Sequence, residues 1–376
     1  MRKMIASVLI GTLLVLPAPV LAASNRVNVE KLAFDKIDEH ISSYNYQVYT
    51  SYDSLDDIEV PADADKTALE GMLAGVVNQI AVYDSKIDKL GDPPFPDDNT
   101  EFLLHIYNEL KAISQTNKTN LESQINSFNE NQDKASDAKS DATLKVEAGK
   151  KQIIWGAEQM YLSYNSLEHQ IKQQSNQLYL LEKQLYAMEL REKLGLVSNV
   201  TYKGMEKNIK ELRFAVSAMR DQQTSLKEQL NVMLNQNYDT ALVIEETPVL
   251  DTDLLDNMNL EEDYKKAEPL SFDARQKEDS WEREAEERKF EQAFKKSFEN
   301  VKDKKDSLEL EEYKLETERI VTSHAELRYK LGLISRMALK EQQYTFENQR
   351  LKVQVAKEEL YKAYRQYEWM KEGLTL

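Results

Sequence analysis

REKLGLVSNVTYK, residues 191–203, returns as RYKLGLISRMALK at residues 328–340. Seven of the thirteen positions are identical, and Val197/Ile334 and Val200/Met337 are close substitutions. An internal repeat reports architecture directly. Each copy interrupts a long run of apolar residues spaced three and four apart. Ahead of the first copy stand Ala157, Met160, Tyr164, Leu167, Ile171, Gln174, Leu178, Leu181, Leu185 and Met188. Behind it stand Met205, Ile209, Leu212, Val216, Met219, Gln223, Leu226, Leu230 and Met233. Sustained spacing of this kind predicts coiled-coil helices, with legs of roughly 60 Å at 1.5 Å per residue. The second copy is entered through Phe294, Val301, Leu308, Leu315 and Ile320, and left through Leu339, Phe346, Leu351, Val355, Leu360 and Tyr364. The expected fold is therefore all-α: two tandem long antiparallel coiled-coil hairpins, with little or no β-structure.

The repeated turn has a chemistry that suits a hairpin tip. Its residues are Leu194, Gly195, Leu196, Val197 and Ser198, and then Leu331, Gly332, Leu333, Ile334 and Ser335. Glycine takes the left-handed conformation that stops the first helix. The serine caps the return helix by accepting a backbone N–H. The flanking apolar residues pack across the turn. The apolar seam is narrow, so it buries one helix against one neighbour and builds no wide core. A single chain would be long and thin, and lateral assembly would supply the missing burial.

With 49 basic and 66 acidic residues the net charge is −17. That argues against nucleic acid and anionic membrane surfaces as partners, since both call for a basic face. Arg2 and Lys3, the apolar run Met4–Leu16, Pro17, Pro19 and Val20-Leu21-Ala22 read as a secretory signal over 1–23, which sends the chain to the cell envelope. The chain has no cysteine, so neither a disulfide nor a lipid anchor on cysteine is expected. Beyond the signal no apolar run reaches the length of a membrane span.

Four further regions follow. Residues 24–142 read as an N-terminal helical region, with a helix over 26–55 and an acidic loop at 56–65. A short apolar helix follows at 68–83, buried against its neighbours around Gly71 and Gly75. Gly91–Asp98 is a break, and a polar helix follows that frays or bends near 129–141. Hairpin repeat 1 spans 143–245. Residues 246–289 are an acidic linker and charged helix, interrupted at Pro269. Repeat 2 spans 290–376, with its first leg beginning near Phe290.

His40, His105, His169 and His324 fall one per region, in no metal-ligating spacing. There is no P-loop, GxSxG or GxGxxG motif. No catalytic, cofactor-binding or metal residue is expected, and the chain does not read as an enzyme.

The duplicated hairpins with their Gly-Leu-Val/Ile-Ser turns resemble the TolC family of outer-membrane efflux proteins. The resemblance is best over 150–235 and 290–372, and Val27–Ala33 looks like the family's opening helix. It implies a homotrimer whose helices form a hollow conduit. The hairpin tips would dock a periplasmic adaptor (membrane fusion protein), and an inner-membrane transporter would drive efflux. Two departures stand out. Thr201 and Ala338 occupy positions where the family often carries an acidic residue. Neither 50–145 nor 245–290 shows the ten-residue alternation of barrel strands. The expectation is the helical tunnel module without its membrane barrel. The alternative is an exported coiled-coil scaffold or spacer with no transport role.

Overall fold

A computed structural model of the chain describes residues 29–91 and 98–376. The expected signal at 1–23, Val27 and Asn28 of the expected opening helix, and residues 92–97 of the Gly91–Asp98 break lie outside the described residues.

Long helices dominate the fold, as the heptads require. The helices are α1 (Ile37–Tyr44), α2 (Tyr46–Asp56), α3 (Asp63–Leu90), α4 (Asp98–Lys193) and α5 (Asn199–Met233). There follow α6 (Thr252–Asp256), α7 (Leu260–Ala267), α8 (Phe272–Arg275), α9 (Ser280–Lys330) and α10 (Arg336–Lys371). The strands among the described residues are β1 (Lys31–Leu32) and β2 (Val243–Ile244), two residues each and paired in parallel. They tie the start of the described chain to the segment between the repeats. The fold is all-α, and its two long hairpins are α4–α5 and α9–α10.

The seam residues read from the sequence are buried or half-buried throughout α4 and α5. Burial is deepest away from the tips. One core joins Leu32, Phe34, Ile37 and Ile41 to Ile154, Tyr161 and Leu162 of α4, with Leu230 of α5 and Trp369 of α10. A second joins Phe290, Phe294, Phe298 and Val301 of α9 to Leu360, Ala363 and Tyr367 of α10. Each hairpin is thus rooted in a core and thins towards its turn.

Several expected boundaries move, for local reasons. The expected helix at 26–55 is divided. Residues 29–33 are mostly extended, and Asn45 breaks the remainder. The Asn45 side chain accepts from the Val48 backbone N–H at 3.1 Å, capping α2, and donates to the Met233 carbonyl at 2.9 Å. The expected fray at 129–141 is absent, and the line drawn at 142/143 falls inside α4. This helix runs unbroken for 96 residues, about 144 Å at 1.5 Å per residue. Tertiary contacts outweigh the weak helix propensity there. Gln132 donates to the Pro61 carbonyl at 3.0 Å and to Asp63 at 2.8 Å, and Lys139 donates to the Ile58 carbonyl at 3.2 Å.

These bonds dock α3 against the N-terminal third of α4, so α3–α4 is a third antiparallel hairpin at the far end from the repeated turns. Its seam is Leu69, Leu73, Val76, Ile80, Tyr83 and Ile87, all half-buried. The helix expected at 68–83 is longer, and it is not buried against its neighbours: none of its residues is buried, and Gly71 and Gly75 are exposed. Helix α9 begins ten residues before Phe290, because Asp279 caps it by accepting from the backbone of Trp281 and Glu282. The break at Pro269 is present as a 3-10 turn between α7 and α8.

Candidate functional site

The two repeated turns fold identically. Gly195 and Gly332 both have φ +73°, in the left-handed region. Leu196 N–H donates to the Arg191 carbonyl and Gly195 N–H to the Glu192 carbonyl, both at 2.8 Å. The counterpart bonds are Leu333 to Arg328 at 2.8 Å and Gly332 to Tyr329 at 2.9 Å. This pair of bonds is the Schellman stop, which satisfies the last carbonyls of a helix. Ser198 then accepts from Thr201 N–H at 3.2 Å, and Ser335 from Ala338 N–H at 3.1 Å, capping α5 and α10. The same stop closes α5 at Asn235 (φ 59°) and α10 at Gly373 (φ 88°).

At the tips Val197 and Ile334 are half-buried, and the leucines are not. Leu194, Leu196, Leu331 and Leu333 all stand out from the turn, Leu196 at 71% and Leu333 at 65% exposed. The structure places both tips at one end of the molecule. Helices α4 and α10 run antiparallel side by side, joined by Asn176–Asn348 at 3.2 Å and Gln184–Glu341 at 2.8 Å. Tyr179 and Tyr344 pack ring to ring between them, with centroids 5.5 Å apart. The four long helices therefore form one layer in the order α5–α4–α10–α9.

Deeper in the α4–α10 seam the layer is pinned by charge. The Glu158 carboxylate, buried at 3% exposure, accepts from Arg365 Nη2 at 2.7 Å, Arg365 Nε at 3.2 Å and Trp369 Nε1 at 2.7 Å. His169 Nε2 lies 3.2 Å from Oε1 of the buried Glu358. Burial pushes the Glu358 carboxyl above its ordinary value. The partners in these pairs lie far apart along the chain, so no local pattern could reveal them.

The edges of the layer carry a feature that the sequence reading missed. On α9 the inner stripe Leu308, Glu311, Leu315, Glu318, Thr322 and Ala325 faces α10 and is buried or half-buried. A second stripe, two residues on, keeps the same spacing: Leu310, Tyr313, Thr317, Ile320, His324 and Leu327, every one exposed, so Ile320, expected in the seam, lies on the outer side instead. It is a coiled-coil seam without a partner helix, and it leads to the exposed Leu331 at the tip. The signal for it was present, since a second 3–4 alternation in the same helix can be counted from the sequence. The other edge, α5, exposes Phe214 at 78% among charges of both signs, Lys207, Lys210, Glu211 and Arg213.

A cleft of about 700 Å³ lies beside Glu358, between the segment after β2 and α9–α10. Leu308 and Leu351 line it together with charges of both signs, Glu246 and Arg350 among them. Among the described residues no group of His, Asp and Glu is placed to hold a metal ion.

No family model matches the chain, and no curated protein matches it. Among solved structures the chain is similar to a membrane protein from Pseudomonas aeruginosa. The identity is 10% over 94% of this chain and 99% of that one, with a TM-score of 0.43. That likeness is too loose to bear on family or function.

Proposed function

We propose that the chain is a TolC-like, non-enzymatic component of an export system, in which copies close into a helical conduit that docks an adaptor protein through the hairpin tips. The observation that carries this is the four-helix layer: two matching tips at one end, and two open edges, one of them bearing a vacant heptad stripe. A layer with an apolar stripe on one edge and Phe214 among charges on the other can join head to tail with its own copies, and such an interface closes into a ring when the rotation allows. A homotrimer is the number the family resemblance implies. The leucines at the tips supply an apolar contact for a membrane-fusion-type adaptor, beneath an inner-membrane transporter.

Two measurements test the proposal. Deletion of the chain should abolish export of a solute, with restoration by the intact chain. Cysteines at Leu196 or Leu333 should crosslink to an adaptor. Export unaffected by deletion would sink it.

One observation favours a second reading, an exported coiled-coil scaffold or spacer without transport. The third hairpin, α3–α4, is helical where the resemblance calls for barrel strands.

A further inference from the structure

The α3–α4 hairpin carries a face that no other described residues cover. Between Thr67 and Tyr83 the only charged residue is Glu70. A helix so nearly uncharged on all sides is ordinarily covered on more than one of them, yet among the described residues α4 is the helix that α3 packs against. Glycine is the poorest helix-interior residue after proline. At Gly71 and Gly75 an added Cβ would meet nothing within 4 Å, so packing inside the chain does not account for either.

Apolar residues gather on one side of this hairpin, exposed except for the half-buried Ile106, while the exposed Val77 faces the other way. At about 100° per residue, Met72, Gly75 and Val82 are displaced from the α3 seam in the same rotational sense as Phe102, Ile106 and Ile113 from the α4 seam. In an antiparallel pair that places all six on one face. The pairing Asp84–Lys111 at 2.5 Å sets the register and brings Val82 level with Ile113. Met72 and Phe102 are 60% and 61% exposed.

We propose that this face is a self-association surface whose occupant is the same face on another copy of this chain. Charge favours a copy. In a molecule of net charge −17, this face holds two cations, Lys86 and Lys89, and one anion, Glu109. The register sets Lys86 and Glu109 level, so Lys86 of one copy can meet Glu109 of the next. A lipid core is disfavoured, since no described helix is apolar and long enough to span one. Area also points to a shared interface. The largest apolar patch on a typical monomer measures on the order of 300–600 Å², short of the roughly 800 Å² per partner of a standard interface. The open edges α5 and α9 would supply the remainder, and in this the inference rests on the conduit proposal. The unbroken α4 belongs to both contacts, so copies joined at the layer edges bring their α3–α4 hairpins together.

The test is the mass of the purified chain by sedimentation velocity, with helicity checked by circular dichroism. M72E/I113E, at exposed positions, should keep its helicity and self-associate at least ten-fold more weakly. Lys86 Nζ also lies over the Tyr107 ring, 5.0 Å from its centroid; K86E should weaken assembly, and K86E/E109K should restore it, which loss of that ring contact alone would not allow. Wild-type assembly by M72E/I113E would overturn the inference. If I320E/L327E on the α9 edge dissociates while M72E/I113E does not, the edge contact stands and the hairpin contact fails. The reverse result supports the hairpin and removes the edge. A wild-type chain that stays monomeric, yet floats with phosphatidylcholine–phosphatidylglycerol vesicles until M72E/I113E is introduced, would assign the face to lipid and overturn the inference.

Discussion

Arg365 reaches across the α4–α10 seam to grip Glu158 with two nitrogens, at 2.7 and 3.2 Å, although 207 residues separate them. The pair joins the first repeat to the second where the layer is best buried. Trp369 completes it from one turn further along α10. Removing one member leaves a charge without its partner in a poorly solvated place. Arg365→Met should therefore destabilise the chain by about 3 kcal/mol, at the lower end for a broken buried pair because Arg365 is partly exposed. The double variant Glu158→Leu/Arg365→Met should recover part of the loss. Urea denaturation measures both.

Glu358 predicts a pH dependence of defined sign. Its carboxyl is raised above the ordinary 4.5, first by burial, with the His169 hydrogen bond opposing. The folded state thus binds this proton more tightly than the unfolded state does. Stability falls as pH rises from the ordinary value to the raised one, and is level above it. Glu358→Gln should flatten that part of the stability profile. An unchanged slope in the variant would place the dependence elsewhere.

Glycines in the same helix stop should differ in cost. At Gly195 and Gly332 a methyl meets open space, so alanine adds only left-handed strain, about 1 kcal/mol. At Gly373 the same methyl would run into the Leu270 carbonyl, and the 3-10 turn that holds Leu270 would have to move. Thermal melts should show a small loss for Gly195→Ala and a severalfold larger one for Gly373→Ala.

Leu196→Ser and Leu333→Ser together should change stability by no more than about 0.5 kcal/mol, as exposed substitutions do. The same pair should lower export and adaptor crosslinking if the tips are the docking surface. Loss of folding in this variant would mean that the leucines serve the turn rather than a partner.

Ile320→Glu/Leu327→Glu on the α9 edge should leave the isolated chain folded, because both side chains are exposed. It should reduce the assembled mass seen by native mass spectrometry. Assembly at wild-type strength would leave the vacant stripe without a role.

Much of the helical layer could be read from the chain because coiled coils are written in local spacing. The seams from Ala157 to Met188 and from Met205 to Met233 needed only counting. The turns were legible for the same reason, since Gly195 and Ser198 act on backbone within a few residues of themselves. Residues 129–141 were misread because their composition favours a fray, while Gln132 and Lys139 are held by carbonyls some seventy to eighty residues away. The apolar helix around Gly71 was misjudged in the opposite way. Its hydrophobicity suggests cover on all sides, whereas among the described residues it packs chiefly on α4.

By itself the sequence determined the all-α class, the duplicated hairpins and the stop-and-cap chemistry of their tips. All of these arise between residues close in the chain. Only the tertiary structure decided that the two tips share one end, that α4 carries a third hairpin at its other end, and that α5 and α9 are left as open edges. Those outcomes depend on Glu158 with Arg365, His169 with Glu358 and Asn45 with the end of α5. Such contacts form between distant segments, and burial gives each its strength only after the helices have packed.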